Sequence, residues 1–149
     1  MNDLTLVIPA KKESETLPLV LESLKKLKIK TIISLKNDDL DTINSIIKNK
    51  YVKVYFQTGN GYGNSLKEAI NFCETKYFCI FNADGSFKPS ELEEMVKKLE
   101  KEELDFVFGS RYQKNSGSED DTIVTLIGNY FFTSIGKIFF KLNISDILY

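Results

Sequence analysis

Asn82 and Asp84 lie two residues apart at the end of an apolar run, in 77-YFCIFNADGSF-87. If the run is a strand that persists to Asp84, both side chains project to one side and Ala83 to the other. An amide oxygen beside a carboxylate suits a hard divalent cation such as Mg²⁺ or Mn²⁺, which prefers oxygen ligands and leaves positions for substrate phosphates. A second reading needs no ligand: Asp84-Gly85 is a common turn dipeptide at a strand end, and on this motif alone the turn is the simpler account.

Three other stretches carry comparable chemistry. The segment 59-GNGYG-63 precedes a helical pattern, so Gly61 and Gly63 let backbone approach a ligand while a helix N-terminus attracts negative charge. It is not the dinucleotide fingerprint, which requires its glycines after the first strand; an ordinary loop is the competing reading. Arg111, in 108-FGSRY-112, is a rare arginine in a lysine-rich chain and suits forked recognition of phosphate. An exposed, salt-bridging Arg111 fits the residues equally well. The chain has no histidine, so any catalysis rests on carboxylates, Lys, Arg, Tyr or a cation held by oxygen.

The elements that would position these groups follow from periodicity. Apolar runs at 4–8, 29–35, 52–56, 77–81 and 106–108 read as strands. Between them, Leu17, Val20, Leu21, Leu24 and Leu27 form a helical stripe, as do Leu40, Ile43, Ile46 and Ile47, then Leu66, Ala69, Ile70 and Cys73, then Leu92, Met95, Val96 and Leu99. Such alternation predicts an α/β fold, a mostly parallel sheet with helices on both faces. In such a sheet ligands bind beyond the carboxyl ends of the strands, where loops 9–13, 36–39, 59–63 and 82–86 would meet.

Bulk properties fit one soluble domain over 1–149: an α/β core to residue 112, then a loop and an amphipathic helical segment over 113–149. Net charge −1 without a basic block argues against a dedicated nucleic-acid binder. Cys73 and Cys79 lack metal-ligand spacing and read as reduced structural thiols of a cytoplasmic protein. The N-terminus reads neither as a signal peptide nor as a membrane span. From Thr122 a wide apolar stripe includes Ile123, Leu126, Ile127, Tyr130, Phe131, Ile135, Ile138 and Phe139. Packing onto the sheet is the favoured expectation, and peripheral contact of 122–142 with a membrane, flanked by Lys137 and Lys141, is the alternative.

Taken in order, VIPA…E, NGYGNSL, FNADGSF and DFVFGSRY resemble the GT-A nucleotide-sugar-dependent glycosyltransferases of family 2, and most closely the dolichyl- or polyprenyl-phosphate sugar transferases. The resemblance covers roughly residues 4–146. It implies a nucleotide diphosphate sugar as donor and a polyprenyl phosphate as candidate acceptor. Pro9, Ala10 and Glu13 fall on the family's first nucleotide loop, Gly61 and Gly63 on its Gly-Tyr-Gly loop, and Asn82-Ala83-Asp84 on its Asp-x-Asp motif. That makes Asp84 the ligand of Mg²⁺ or Mn²⁺. Arg111 falls on the residue that helps hold phosphate, giving Asp84 and Arg111 the catalytic roles. The resemblance aligns Asp146 with the acid before the acceptor segment, and the chain ends at Tyr149, where that segment would begin.

Three departures stand out. Lys11-Lys12 replace the usual Tyr-Asn of the first loop. Lys36 and Asn37 stand where a base-reading acid is usual, unless Asp38 and Asp39 shift into that role. Asn82 replaces the first acid of the metal motif. These substitutions support a second reading, a degenerate nucleotide-sugar-binding module without turnover. A plain nucleotide-binding α/β domain is the third.

Overall fold

The computed structural model describes residues 1–110, 122–142 and 144–147. Strands and helices alternate as β1 Leu4–Pro9, α1 Leu17–Leu24, β2 Lys30–Leu35, α2 Leu40–Ile46, β3 Val52–Phe56, α3 Tyr62–Ile70, β4 Tyr77–Ile80, α4 Leu92–Lys101 and α5 Ile123–Phe140. By compactness the chain divides into two units, Met1–Glu93 and Glu94–Tyr149.

The first unit is built on a parallel sheet of order β3-β2-β1-β4. β1 has a neighbour on each side, and Leu6, Val7 and Ile8 are wholly buried, which is why its sequence is continuously apolar rather than alternating. Val7 packs with Ile32 and with Ala69 of α3, and Tyr55, Leu66, Ile70 and Cys73 close around them. Leu6 and Ile8 point to the opposite face. Right-handed crossovers put α1 and α2 on one face, because β1, β2 and β3 advance in one direction; the return to β4 carries α3 across the other. The buried stripe of α1 is Leu17, Val20, Leu21 and Leu24. A polar pair lies in this packing: Ser65 Oγ donates to Ser34 Oγ at 2.8 Å and Ser34 Oγ to the Ser65 carbonyl at 3.1 Å, both residues buried, fixing the start of α3 beside the end of β2.

Several boundaries differ from the periodicity. The helix expected to include Leu27 ends earlier, in a 3-10 turn at Lys25–Leu27, and left-handed Lys28 redirects the chain into β2. α3 begins at Tyr62, inside the glycine segment, so Gly63 belongs to its first turn. No strand forms at 106–108 among the described residues: Phe106 and Phe108 lie exposed with ring centroids 5.1 Å apart. Three residues with strand-like composition need a ladder partner to become a strand.

In the second unit, α5 opens with a capping box between Thr122 and Thr125 and ends at left-handed Lys141. Of its apolar stripe, Ile123, Leu126, Ile127, Tyr130, Phe131, Ile138 and Phe139 are exposed and Ile135 is half-buried, and the buried residues of the helix are Asn129, Thr133 and Gly136. Asn129 explains this: its Nδ2 donates to the Ser145 carbonyl at 3.3 Å, and its Oδ1 accepts from the Ile147 amide at 3.0 Å. A segment following the helix folds back along it, and Gly136 leaves room for Ile147 and Leu142, which a Cβ would meet at 3.0 and 3.4 Å.

Because Ile33 is completely buried in β2, Ile33→Ala should lower unfolding free energy by about 2–5 kcal/mol through lost burial and a cavity. Urea denaturation measures this.

Candidate functional site

The strand order reverses at β1, and in sheets of this kind ligands bind beyond the carboxyl ends of the strands at such a point. Four loops of the first unit leave those carboxyl ends, and each is held by specific hydrogen bonds.

The first loop is tied to the second. The Ala10 amide donates to the Ser34 carbonyl at 2.8 Å, the Lys12 amide to Asp39 Oδ2 at 2.7 Å, and the Glu13 amide to Thr42 Oγ1 at 2.9 Å. Asp39 also caps α2, accepting from the Thr42 amide. Partial burial pushes the Asp39 carboxyl upward. The Lys12 amide, the Thr42 hydrogen bonds and the Lys12 charge outweigh it, so it titrates below its ordinary value. Lys12 is left-handed at φ +59°, a conformation that asparagine tolerates better than lysine. Its place in the resembling motif is an asparagine, and here the Asp39 bond holds lysine in that geometry.

The second and third loops meet where Lys36 Nζ donates to Asn60 Oδ1 and the Gln57 amide to the Leu35 carbonyl. Glu68 of α3 organises the third loop, its Oε1 accepting from the Gly59 amide at 2.8 Å and its Oε2 from the Thr58 amide at 2.8 Å. Those amides hold its carboxyl below the ordinary range against the opposing effect of burial. A Cβ at Gly59 would lie 2.8 Å from Asn64 Nδ2 and 2.9 Å from Glu68 Oε1, the ends of two side chains that would have to shift to admit it. Gly61, the N-cap of α3, is glycine for conformation, at φ +89°. Gly63 meets neither demand.

In the fourth loop the Phe81 amide donates to the Val7 carbonyl at 2.9 Å, which carries the ladder one residue past β4; the strand does not persist to Asp84. The alternation continues all the same, with Ala83 buried and Asp84 exposed. Asp84 Oδ1 accepts from the Ser86 amide at 2.9 Å and from Ser86 Oγ at 2.6 Å, around Gly85 at φ +84°. Asn82 Nδ2 donates to the same Ser86 hydroxyl at 3.1 Å. The turn is therefore real. It does not isolate the carboxylate: the Tyr62 hydroxyl is pushed up by burial and then by the charge of Asp84, which brings that charge within electrostatic reach of the glycine loop.

Pro9 and Ala10 thus sit at the end of β1, Ala10 buried, and the Glu13 carboxylate accepts from Thr16 Oγ1 at 2.5 Å. Asn37 and Asp38 are exposed beside committed Asp39. Arg111 lies outside the described residues. Asp146 belongs to the second unit and is buried, with Asn129 gripping the backbone on both sides of it. Sequence reasoning missed the anchoring by Thr42, Gly59 and Glu68, which no motif marks. Asn129 had a signal, as a lone amide within an apolar helix. Burial raises both thiols, Cys79 up to about 11, which leaves them protonated and poor as ligands.

A family model for glycosyl transferase family 2 matches residues 5–147. The chain belongs to glycosyl transferase family 2. Its parallel sheet and flanking helices agree with the family's GT-A type of fold. Two uncharacterized proteins of Methanocaldococcus jannaschii are similar to it. MJ1222 is 28% identical over 134 residues, covering 87% of this chain and 55% of that protein. MJ0544 is 25% identical over 119 residues, covering 73% and 52%. The chain spans about half the length of these curated relatives. No solved structure matches it significantly.

Among the described residues of this family 2 chain, no three His, Cys, Asp or Glu side chains gather to hold a metal ion. The donor set at 82–84, one carboxylate and one amide, suits a cation that arrives with phosphate oxygens and water rather than a resident metal centre.

Two outcomes follow from the loops. Gly59→Ala should cost about 0.5–1.5 kcal/mol, because the new Cβ pushes the Glu68 carboxylate or the Asn64 amide off a backbone hydrogen bond, whereas Gly63→Ala, in open space within a helix, should be neutral or stabilising by up to about 1 kcal/mol; thermal unfolding of the pair separates the two. The Asp39 carboxyl is depressed in the folded state, so its contribution is full above the ordinary carboxylate value and is lost as pH falls through the folded one. Asp39→Ala should cost about 0.5–2 kcal/mol at neutral pH, and its difference from wild type in urea melts should vanish in strong acid.

Proposed function

We propose that this chain transfers a sugar from a nucleoside diphosphate sugar, with Mg²⁺ or Mn²⁺ entering alongside the donor and Asp84 as its protein ligand. The observation that carries the reading is the match to family 2 over 5–147, joined to an exposed carboxylate beside the strand-order reversal. Pro9, Ala10, Glu13, Asn37 and Asp38 are the proposed nucleoside contacts. Gly61 and Gly63 let the first turn of α3 approach the donor, and Asn82 and Ala83 set the position of Asp84. Arg111 is proposed to bear on the diphosphate.

The proposed acceptor is a polyprenyl phosphate. Such a phosphate is already ionised near neutral pH, which suits a chain without histidine. Its oxygen bonds to the anomeric carbon as the bond to the diphosphate breaks, and the electron pair leaves with the nucleoside diphosphate. The cation supplies charge neutralisation for that leaving group. Arg111 acts in the same sense, and Asp84 keeps the charge centred at the diphosphate.

Thermal shift with nucleoside diphosphates and their sugars, with and without Mn²⁺, tests donor binding. Wild type should be stabilised in a metal-dependent way and Asp84→Ala should not. In transfer assays with a polyprenyl phosphate, Asp84→Ala and Arg111→Ala should each lower turnover by about 10²–10³. Metal-dependent binding without transfer or hydrolysis would support the degenerate module instead, and no stabilisation by any nucleotide would end the site assignment.

A further inference from the structure

Among the described residues, Lys12, Lys28, Glu103 and Lys141 are the non-glycine residues with left-handed backbone. Lys28, Glu103 and Lys141 stand just past a helix or 3-10 turn, where that conformation stops the helix. Lys12 does not. It lies in the loop from β1 to α1, at φ +59°, with no helix before it to end. A lysine keeps such a backbone only where its surroundings impose it, and residues held in this way gather at ligand sites. Here Asp39 imposes it.

The Asp39 carboxylate divides its bonds unequally. Oδ2 lies 2.7 Å from the Lys12 amide, whereas the α2 cap, from the Thr42 amide to Oδ1, is 3.4 Å and weak. The Thr42 hydroxyl, in a wholly buried residue, also bonds to Asp39. Its lone pairs are left to face the Glu13 amide, which donates to it at 2.9 Å. One carboxylate thereby directs two successive amides of the first loop, and the Glu13 side chain projects from the segment so fixed. The core does not require this: Lys12 is exposed, and β1 and β2 are held by their own ladder.

We infer that Asp39 is a positioning residue for the nucleotide donor, holding the first loop through Lys12 and Thr42 in the turn that presents Glu13 to the nucleoside. This role rests on the sugar-transfer reading, in which Glu13 is a nucleoside contact. Asp39 acts on the loop and does not touch the ligand.

The test is Asp39→Ser, made in wild type and in a Lys12→Gly background. Serine caps a helix as well as aspartate does, so α2 keeps its cap, but one short hydroxyl does not extend to the Lys12 amide. The free variant should melt near the wild-type temperature. Its affinity for uridine, guanosine, cytidine or adenosine diphosphate with Mn²⁺, whichever wild type binds, is read by titration calorimetry. It should fall about 5- to 30-fold, the population cost of an unsupported left-handed lysine. Loss of a negative charge would by itself tighten binding of an anion, so a weakening has no electrostatic source. In the Lys12→Gly background, where left-handed backbone carries no such penalty, the same change should weaken binding about twofold at most. Without nucleotide, amide exchange at Lys12 and Glu13 should quicken in Asp39→Ser while the amides of α2 stay protected. The positioning role alone is overturned if wild type binds and Asp39→Ser binds equally well, or if the loss is the same in both backgrounds. It is equally overturned if the free variant melts low with α2 unprotected, as loss of a purely structural cap would produce. If wild type binds none of the four diphosphates, the sugar-transfer reading has failed and this role falls with it, a result told apart by wild type alone.

Discussion

β1 is the strand on which the site depends. It has a hydrogen-bonded partner on each side and apolar packing on each face, so its position and register are fixed by every neighbour at once. Burial of Leu6, Val7 and Ile8 together is worth on the order of 5–9 kcal/mol before chain entropy is charged against it. The connection order reverses there, so a dry strand ends at the point where sheets of this kind bind their ligands. Precision at that point comes from the core, and the loops inherit it.

The loops are held mainly by carboxylates that serve backbone. Asp39 receives the Lys12 and Thr42 amides, and Glu68 receives the Thr58 and Gly59 amides. A carboxylate can accept several N–H groups at once, satisfying loop backbone that has no ladder partner. Both acids are consequently spent on architecture. Asp84 differs in kind. It sits exposed in its turn, accepts from Ser86 through one oxygen, and casts its charge toward Tyr62. That division of labour makes Asp84 the focus of the glycosyl-transfer reading.

The second unit obeys another rule. An amide in the middle of α5 recruits a folded-back segment, and the helix turns its large side chains outward. Where Asn129 finds backbone partners, the energetic cost of burying an unpaired amide disappears, and the apolar face is left for the surroundings. The same grip steadies the backbone around buried Asp146.

The sequence by itself determined the alternation of strands and helices through residue 101, the buried character of β1 and β2, and family membership through four ordered motifs. Periodicity and burial preference are local properties, written wherever a segment meets the core. Tertiary structure decided the rest. It chose the turn at Asp84 over a strand persisting to it, committed Asp39 and Glu68 to loop backbone, and set Asn64 and Glu68 against Gly59. It also denied 106–108 a strand and brought the segment after α5 back onto Asn129 and Gly136. The turn was already offered by Asp84-Gly85 in the sequence; the others depend on a partner distant in the chain or on a hydrogen bond whose energy exceeds a local preference, so they could not be read from the segment alone.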